Sequence, residues 1–202
     1  GQLGSLSPYW PQGIMRENVL RWLRGGLISG ELRDGRFQIR GDMDDWPFRN
    51  HRGRYESLAQ IKDAELDYVA AWPRAKDITA TVRFADTSMK VEGSIGQIGG
   101  VQAQRVSAEI ADLGTPVLKV RYDTESKLDT LVNFLVQSPL QQQIGTDLRR
   151  FDFSGAVATS GLLTAPLGAS KGNMVVDGRV ALLQNRFFDA GSDVALDAIS
   201  GE

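Results

Sequence analysis

The chain has 202 residues, with 22 glycines, one histidine, no cysteine and a formal net charge of −2 at pH 7. This composition excludes thiol and multi-histidine metal chemistry and leaves no basic footprint for nucleic acid. No apolar run approaches the ~18 residues of a membrane-spanning helix, and the glycines are scattered between apolar runs, as many tight turns require.

Residues 8–13 form a lead-in rich in proline and aromatics. Met15, Val19, Trp22 and Leu23 then recur at i, i+4, i+7 and i+8, the spacing of one helical face. Arg21 and Arg24 fall in its last turn, where cations suit the helix dipole, and Gly25-Gly26 stops it. This predicts a helix packed on a sheet edge or end, with a membrane-surface helix as the alternative. Leu27 to Met43 reads as a hairpin about Asp34-Gly35, with Phe37 and Ile39 on one face. Asp42, Asp44 and Asp45 lack the glycine and distal glutamate of a calcium loop, so a solvated turn is expected. His51 lies in a polar loop with no evident partner.

Tyr55, Ser57, Ala59 and Ile61 alternate, as do Ala64, Leu66 and Tyr68: two strands, or one strand bent near Asp63. The clearest pattern spans 78–110. There Ile78, Ala80, Val82 and Phe84, then Met89 and Val91, then Val106, Ala108 and Ile110 occupy alternate positions. Asp86-Thr87-Ser88 and the Gly96 to Gly100 stretch break the runs as turns do. The unit is a meander of antiparallel strands with one apolar face. Pro116 to Tyr122 predicts another strand, with Leu118, Val120 and Tyr122 on one side.

Two short helices are then expected, over roughly 127–137 and 139–145. Ser126 and Asp129 suggest a variant capping box, and Leu128, Leu131, Val132 and Leu135 form a face. Ser138-Pro139-Leu140-Gln141 is a second start, with Leu140 and Ile144 on its inner side and Gly145 at its end. The strands resume with Phe153, Gly155, Val157 and Thr159. Met174, Val176, Val180 and Leu182 then surround an Asp177-Gly178 turn that echoes residues 33–37. Phe187-Phe188-Asp189 and Val194 to Leu196 close the chain. About ten or eleven short strands favour a mainly β fold. The opening Gly1 to Ser5 and the strand-like ending at Ile199 suggest a piece of something longer.

Certain stretches carry a resemblance. They are Tyr9-Trp10-Pro11, the helix ending in Gly25-Gly26, and Gly35 to Phe48 with its Gly-Asp-Met-Asp-Asp-Trp-Pro-Phe run. With Gly53-Arg54-Tyr55-Glu56, Lys62 to Tyr68 and Val91 to Gly100, these resemble the YhdP branch of the AsmA-like proteins. The resemblance covers most of the chain, and Gly41 to Arg54 is its most specific part. It implies a large periplasmic protein of Gram-negative bacteria, anchored in the inner membrane by one N-terminal helix. It also implies antiparallel strands curled into a long apolar-floored groove, and phospholipid movement between inner and outer membranes. No catalytic residue, metal or cofactor is implied.

The resulting expectation is an elongated, curled antiparallel sheet in four parts. These are a lead-in and amphipathic helix (1–27), a first groove segment (28–125), a helical insertion (126–148) and a continuing groove segment (149–202). The expected lining comprises Phe37, Ile39, Ile61, Leu66, Tyr68, Val82, Phe84, Met89, Val91, Val106, Ile110, Leu118, Val120, Val176, Val180 and Leu182. Leu128, Leu131, Leu135, Leu140 and Ile144 are candidates for a plug or gate. Trp10, Trp46 and Trp72 each precede a proline, which favours extended backbone, and are expected to pin loops over the sheet. The expected partners are phospholipid acyl chains, the remainder of a longer chain and other envelope proteins. Two other readings stay open. One is a ligand-free structural or interaction module with a dry core. The other is a carbohydrate-binding or hydrolytic domain using Asp42, Asp44, Asp45 and Trp46.

Overall fold

The computed structural model describes residues 1–2, 17–141, 148–167, 173–189 and 191–202. Helix α1 (Glu17–Gly26) leads into β1 (Leu27–Arg40), β2 (Arg54–Leu66), β3 (Ala75–Ala85), β4 (Ser88–Ile98), β5 (Val101–Ile110) and β6 (Val117–Lys127). Helix α2 (Leu128–Val136) follows, and β7 (Phe151–Pro166), β8 (Val175–Asp189) and β9 (Val194–Gly201) complete the chain. All nine strands form one antiparallel sheet in sequence order. The sheet is not closed and has a curled, groove-like form.

The meander read from 78–110 is present as β3, β4 and β5. Its tight turns are chemically apt. Asp86 adopts φ 49° between β3 and β4, and Gly99 and Gly100 adopt φ 57° and 87° between β4 and β5. Asp86 also ties its turn to β2, since its carboxylate accepts from the Tyr55 backbone N–H at 2.9 Å.

Two expected turns are not turns. Asp34-Gly35 lies inside β1, opposite Gln60 and Ala59, and Asp177-Gly178 lies inside β8, opposite Leu162 and Gly161. Each dipeptide has a long partner strand beside it, and continuous pairing outweighs the local turn preference. Joining those halves lowers the strand count to nine among the described residues.

The alternation slips along one line across the sheet. Apolar positions step by three rather than two at Ile61/Ala64, Ala75/Ile78, Ile95/Ile98 and Ala103/Val106, where the pairing register is irregular. Asp63 and Asp77 take left-handed φ values of 52° and 53° within these steps. An extra residue at each site returns the next apolar side chain to the same face and bends the strand. The line of bulges therefore keeps one face apolar along the full strand length and curls the sheet. Asp63 bends one long strand; it does not divide two.

Buried side chains gather toward both sets of strand ends, with Ala64, Ala75, Val101, Ala103, Leu128 and Val157 toward one and a cluster with Phe48 at the other. Leu20, Phe48, Tyr55, Ile110 and Leu113 form a cluster, with Trp46, Phe84, Met89, Leu118 and Leu167 packed against it. The loop after β1 supplies Phe48. Asp42 caps a 3-10 turn (Met43–Asp45) by accepting from the Asp44 N–H at 3.0 Å, and Asp45 accepts from the Asn50 side chain at 2.6 Å. Two of the three acids thus hold the loop together. Leu20 is the α1 side chain in the cluster; of the expected face, Val19, Trp22 and Leu23 fall within α1, and Met15 lies outside the described residues.

At the opposite strand ends sits α2. Ser126 does not cap it, because β7 pairs with β6 as far as Lys127 and holds Ser126 extended opposite Val157. The Asp129 carboxylate accepts instead from its neighbour's Thr130 N–H at 2.6 Å. Ser138 accepts from the Leu140 N–H at 3.3 Å, as an N-cap does, while most of the second expected helix, including Ile144, lies outside the described residues.

The total accessible surface is 12314 Å². A compact monomer of this 22.1 kDa mass would expose about 9,300 Å². The excess is what a single open layer produces.

One surface anchor carries a pH signature. Asp112 accepts from the Gly114 N–H at 2.9 Å and pairs with Arg49 at 3.3 Å. The Gly114 bond, opposed by partial burial and reinforced by Arg49, holds the Asp112 carboxyl below the usual carboxylate range. A depressed folded-state pKa stabilises above the unfolded value, and that stability is lost as pH falls through the folded one. The melting temperatures of wild type and Asp112→Asn are therefore expected to differ at pH 7 and to converge as the pH falls below the ordinary aspartate value of about 3.9.

Candidate functional site

The registers place the apolar side chains in continuous rows that run across the strands. One row is Phe37, Ser57, Phe84, Met89, Ile110, Leu118 and Ala165. The next is Gly35, Ala59, Val82, Val91, Ala108, Val120, Leu163 and Val176. A third is Leu32, Ile61, Ala80, Gly93, Val106, Tyr122, Gly161 and Gly178. A fourth is Ala64, Ile78, Ile95, Ala103, Thr124, Thr159 and Val180. Beyond it, Leu66 joins Ala75, Ile98 and Val101, while Ser126 joins Val157 and Leu182.

The expected lining residues that lie in strands therefore share one face. Ile39 stands beside Tyr55 at the end of β1, and Tyr68 follows the end of β2. Their surroundings differ. Ile110 is 3% exposed under the Phe48 cluster, whereas Phe37 is 74% exposed on the first strand and Val180 is 47% exposed on the eighth. Between these extremes, Val82, Val91, Val106 and Val120 are half-buried. Among the described residues no second sheet lies over them, since every described strand belongs to the one sheet.

The opposite face is charged. Its ion pairs include Arg83 with Glu56, Arg105 with Asp123 at 3.1 Å, and Arg186 with Asp197 at 3.1 Å. All are exposed, and such pairs contribute little stability; their consequence is that this face stays wet. A recess of about 590 Å³ is lined by Glu92, Arg105, Ser107, Arg121, Asp123 and Ser160 with Gly93, Val106, Tyr122 and Gly161. By register Gly93, Val106, Tyr122 and Gly161 belong to the apolar face and the other six residues to the charged face.

Both strand ends of the apolar face have walls. On one side stands the Phe48 loop. On the other, Trp72 meets Phe134 of α2 at 5.9 Å between ring centroids, and Tyr68 meets Trp72 at 6.3 Å. Burial, with the Asp67 charge beside it, pushes the Tyr68 pKa far up. Gly99 fits under Phe134, where a Cβ would come within 2.7 Å of the ring. Leu128 is buried, and Leu131, Leu135 and Leu140 are half-buried. Trp46 and Trp72 do sit in packed loop positions, Trp46 edge-on to both Phe48 and Tyr55; Trp10 lies outside the described residues.

Walls at the strand ends, and none among the described residues at the first and last strands, leave a trough that runs perpendicular to the strands. Nine strands at ~4.8 Å make it on the order of 40 Å long. Sequence reading missed several members of this surface. Leu32 was hidden by the supposed turn and Gly93 is too small to stand out, while Ala59, Ala80 and Ala108 were read in the alternating runs but not placed in the lining. Tyr122 was placed on the right strand side but not in the lining. No group of three or more His, Cys, Asp or Glu among the described residues could hold a metal ion. No described helix is long and apolar enough to cross a membrane.

No solved structure matches the chain. It is 23% identical over 194 residues to the intermembrane phospholipid transporter YhdP of Escherichia coli (strain K12), an alignment covering 96% of this chain and 15% of that protein. The family model described as YhdP protein matches residues 1–202, and the chain belongs to that family.

Proposed function

We propose that this chain is a groove segment of a periplasmic phospholipid carrier, and that acyl chains lie in the trough on its apolar face. The observation that carries the reading is the set of mainly apolar rows that cross β1 to β8 with no second layer among the described residues. Such a face must be covered. A relative of this chain is named for phospholipid transport, and an acyl chain is the cover that fits a floor of Val, Ala, Ile and Gly. About eight methylenes taken from water contribute on the order of 6 kcal/mol. The headgroup stays in water at the open side, and no catalytic group is needed.

The lining residues are those of the rows, with Val82, Val91, Val106 and Val120 at the centre. The sheet serves as two segments, 28–125 and 149–202, joined through the insertion at 126–148. Leu128, Leu131 and Leu135 make α2 a gate at one wall. Edge strand β9 has no strand partner beyond it among the described residues, and the remainder of a longer, inner-membrane-anchored chain continues the sheet there. The trough then runs between inner and outer membranes.

The test is lipid extraction from the purified chain, without detergent, followed by mass spectrometry. Phospholipid is expected in wild type and at least about tenfold less in Val82→Asp/Val91→Asp, since each buried charge costs several kcal/mol. Circular dichroism checks that the variant keeps its sheet. Absence of phospholipid from wild type would sink the reading in favour of a structural module.

A further inference from the structure

The apolar floor has a polar crossing on β6 and β7. Tyr122 occupies a lane otherwise made of alanine, glycine, valine, leucine and isoleucine. Its side chain lies across the neighbouring strands. A Cβ on Gly161 would fall 2.7 Å from the Tyr122 hydroxyl, and one on Gly178 would fall 3.0 Å from it. The two glycines thus make the bed in which the ring rests, with its hydroxyl delivered toward β8. Among the described residues that hydroxyl makes no hydrogen bond, although burial pushes its pKa up and keeps it protonated. Two positions along the same strand face, Thr124 bonds Thr159 on β7 through their hydroxyls at 2.6 Å. That pair holds two protons and uses one internally, which leaves one to donate. Two positions further, the buried hydroxyl of Ser126 also has no partner.

A floor that touched only hydrocarbon would gain nothing from these groups. The Ser126 hydroxyl is buried without a partner, which costs free energy that valine or leucine would avoid, and the half-buried Tyr122 hydroxyl finds no acceptor in hydrocarbon. Hydrocarbon accepts no hydrogen bond, whereas the ester carbonyls that begin each acyl chain do. They are also the part of a phospholipid that meets the floor when the chains lie in the trough and the headgroup faces water. We propose that the Tyr122 hydroxyl, beside the Thr124–Thr159 pair, donates to an ester carbonyl of a diacyl glycerophospholipid and fixes where the lipid pauses along the trough. This rests on the function proposed above and names the ligand group that the floor recognises.

The test separates the two. The purified chain is incubated with an equimolar mixture of diacyl and dialkyl-ether phosphatidylethanolamine of equal chain length, re-isolated, and its bound lipid quantified by mass spectrometry. The ether lipid has the same headgroup and chains but no carbonyl. Wild type is expected to favour the diester by about two- to tenfold, the worth of one net hydrogen bond. In Tyr122→Phe diester uptake falls to that of the ether lipid, and the ratio falls to about one. Thr159→Val lowers the ratio in part.

Equal uptake of both lipids by wild type would overturn the inference and leave the proposed function standing. So would a preference that survives in Tyr122→Phe/Thr159→Val, or an equal loss of both lipids in Tyr122→Phe, which would place the contact at the phosphate. Uptake of neither lipid by wild type would overturn both.

Discussion

Phe48→Ala is expected to lower the unfolding free energy by about 3–5 kcal/mol, the cost of emptying a fully buried aromatic site. Phe48 is 2% exposed and sits in the cluster with Leu20, Tyr55, Ile110 and Leu113. The backbone around it is built to receive the ring. At Gly53 a Cβ would fall 2.3 Å from the Phe48 ring, and at Gly41, at φ +123°, one would fall 3.1 Å from the same ring. The site cannot collapse readily, because the Trp46 ring is edge-on to Phe48 at 5.5 Å and to Tyr55 at 5.4 Å, and both contacts hold the loop to β2. Guanidinium unfolding should show a lower midpoint at unchanged slope. A loss below about 1 kcal/mol would mean that the loop is an ornament on the sheet and not its end wall. Because Phe48 is at the dry end, the variant should still carry lipid when folded, unlike Val82→Asp/Val91→Asp.

A comparable loss, about 2–5 kcal/mol, is expected for Asn185→Leu. Asn185 is fully buried within β8. Its side-chain oxygen accepts from the Leu183 N–H at 2.6 Å, and its amide donates to the Ser154 carbonyl at 3.2 Å. Those two backbone groups are the ones that strand pairing leaves unmatched, since the register shifts between Ser154 and Ala156 and again between Leu182 and Asn185. Gln184 takes φ 54° and Gly155 φ 105° at the same place. Leucine has similar volume but leaves both backbone groups buried and unpaired. Faster hydrogen exchange at the Leu183 amide would localise the effect; an unchanged exchange rate there would refute the assignment.

How much of this was legible in the residues depends on the range of the forces involved. The alternation over 78–110 located β3, β4 and β5, because one-sided burial imposes a period of two on any strand, but β4 runs to Ile98, into the expected turn, and β5 begins at Val101, five residues before the alternation that was read. The same reading failed at Asp34-Gly35 and Asp177-Gly178. A turn dipeptide states only a local preference, and a long partner strand can override it. Ser126 was misplaced for the same reason, since its pairing with Val157 decides its backbone before a helix cap can form. The clustering of the Gly41 to Arg54 stretch was visible as the most family-specific run, but its physical content was not. Nothing local says that Gly53 must be bare to admit the ring of Phe48.

The sequence by itself determined that the chain is mainly β, that its strands are antiparallel neighbours with one apolar side, and which large residues lie on that side. These follow from side-chain periodicity and turn chemistry, which act within a few residues of chain. The family resemblance was likewise readable and agrees with the match over residues 1–202. Only the tertiary structure decided that the nine strands stay in one open layer, that a line of bulges keeps the apolar face continuous, and that Tyr122 lies across Gly161 and Gly178. Those features are set by registers between residues as far apart as Tyr122 and Gly178, and register is a property of paired strands that neither strand carries alone.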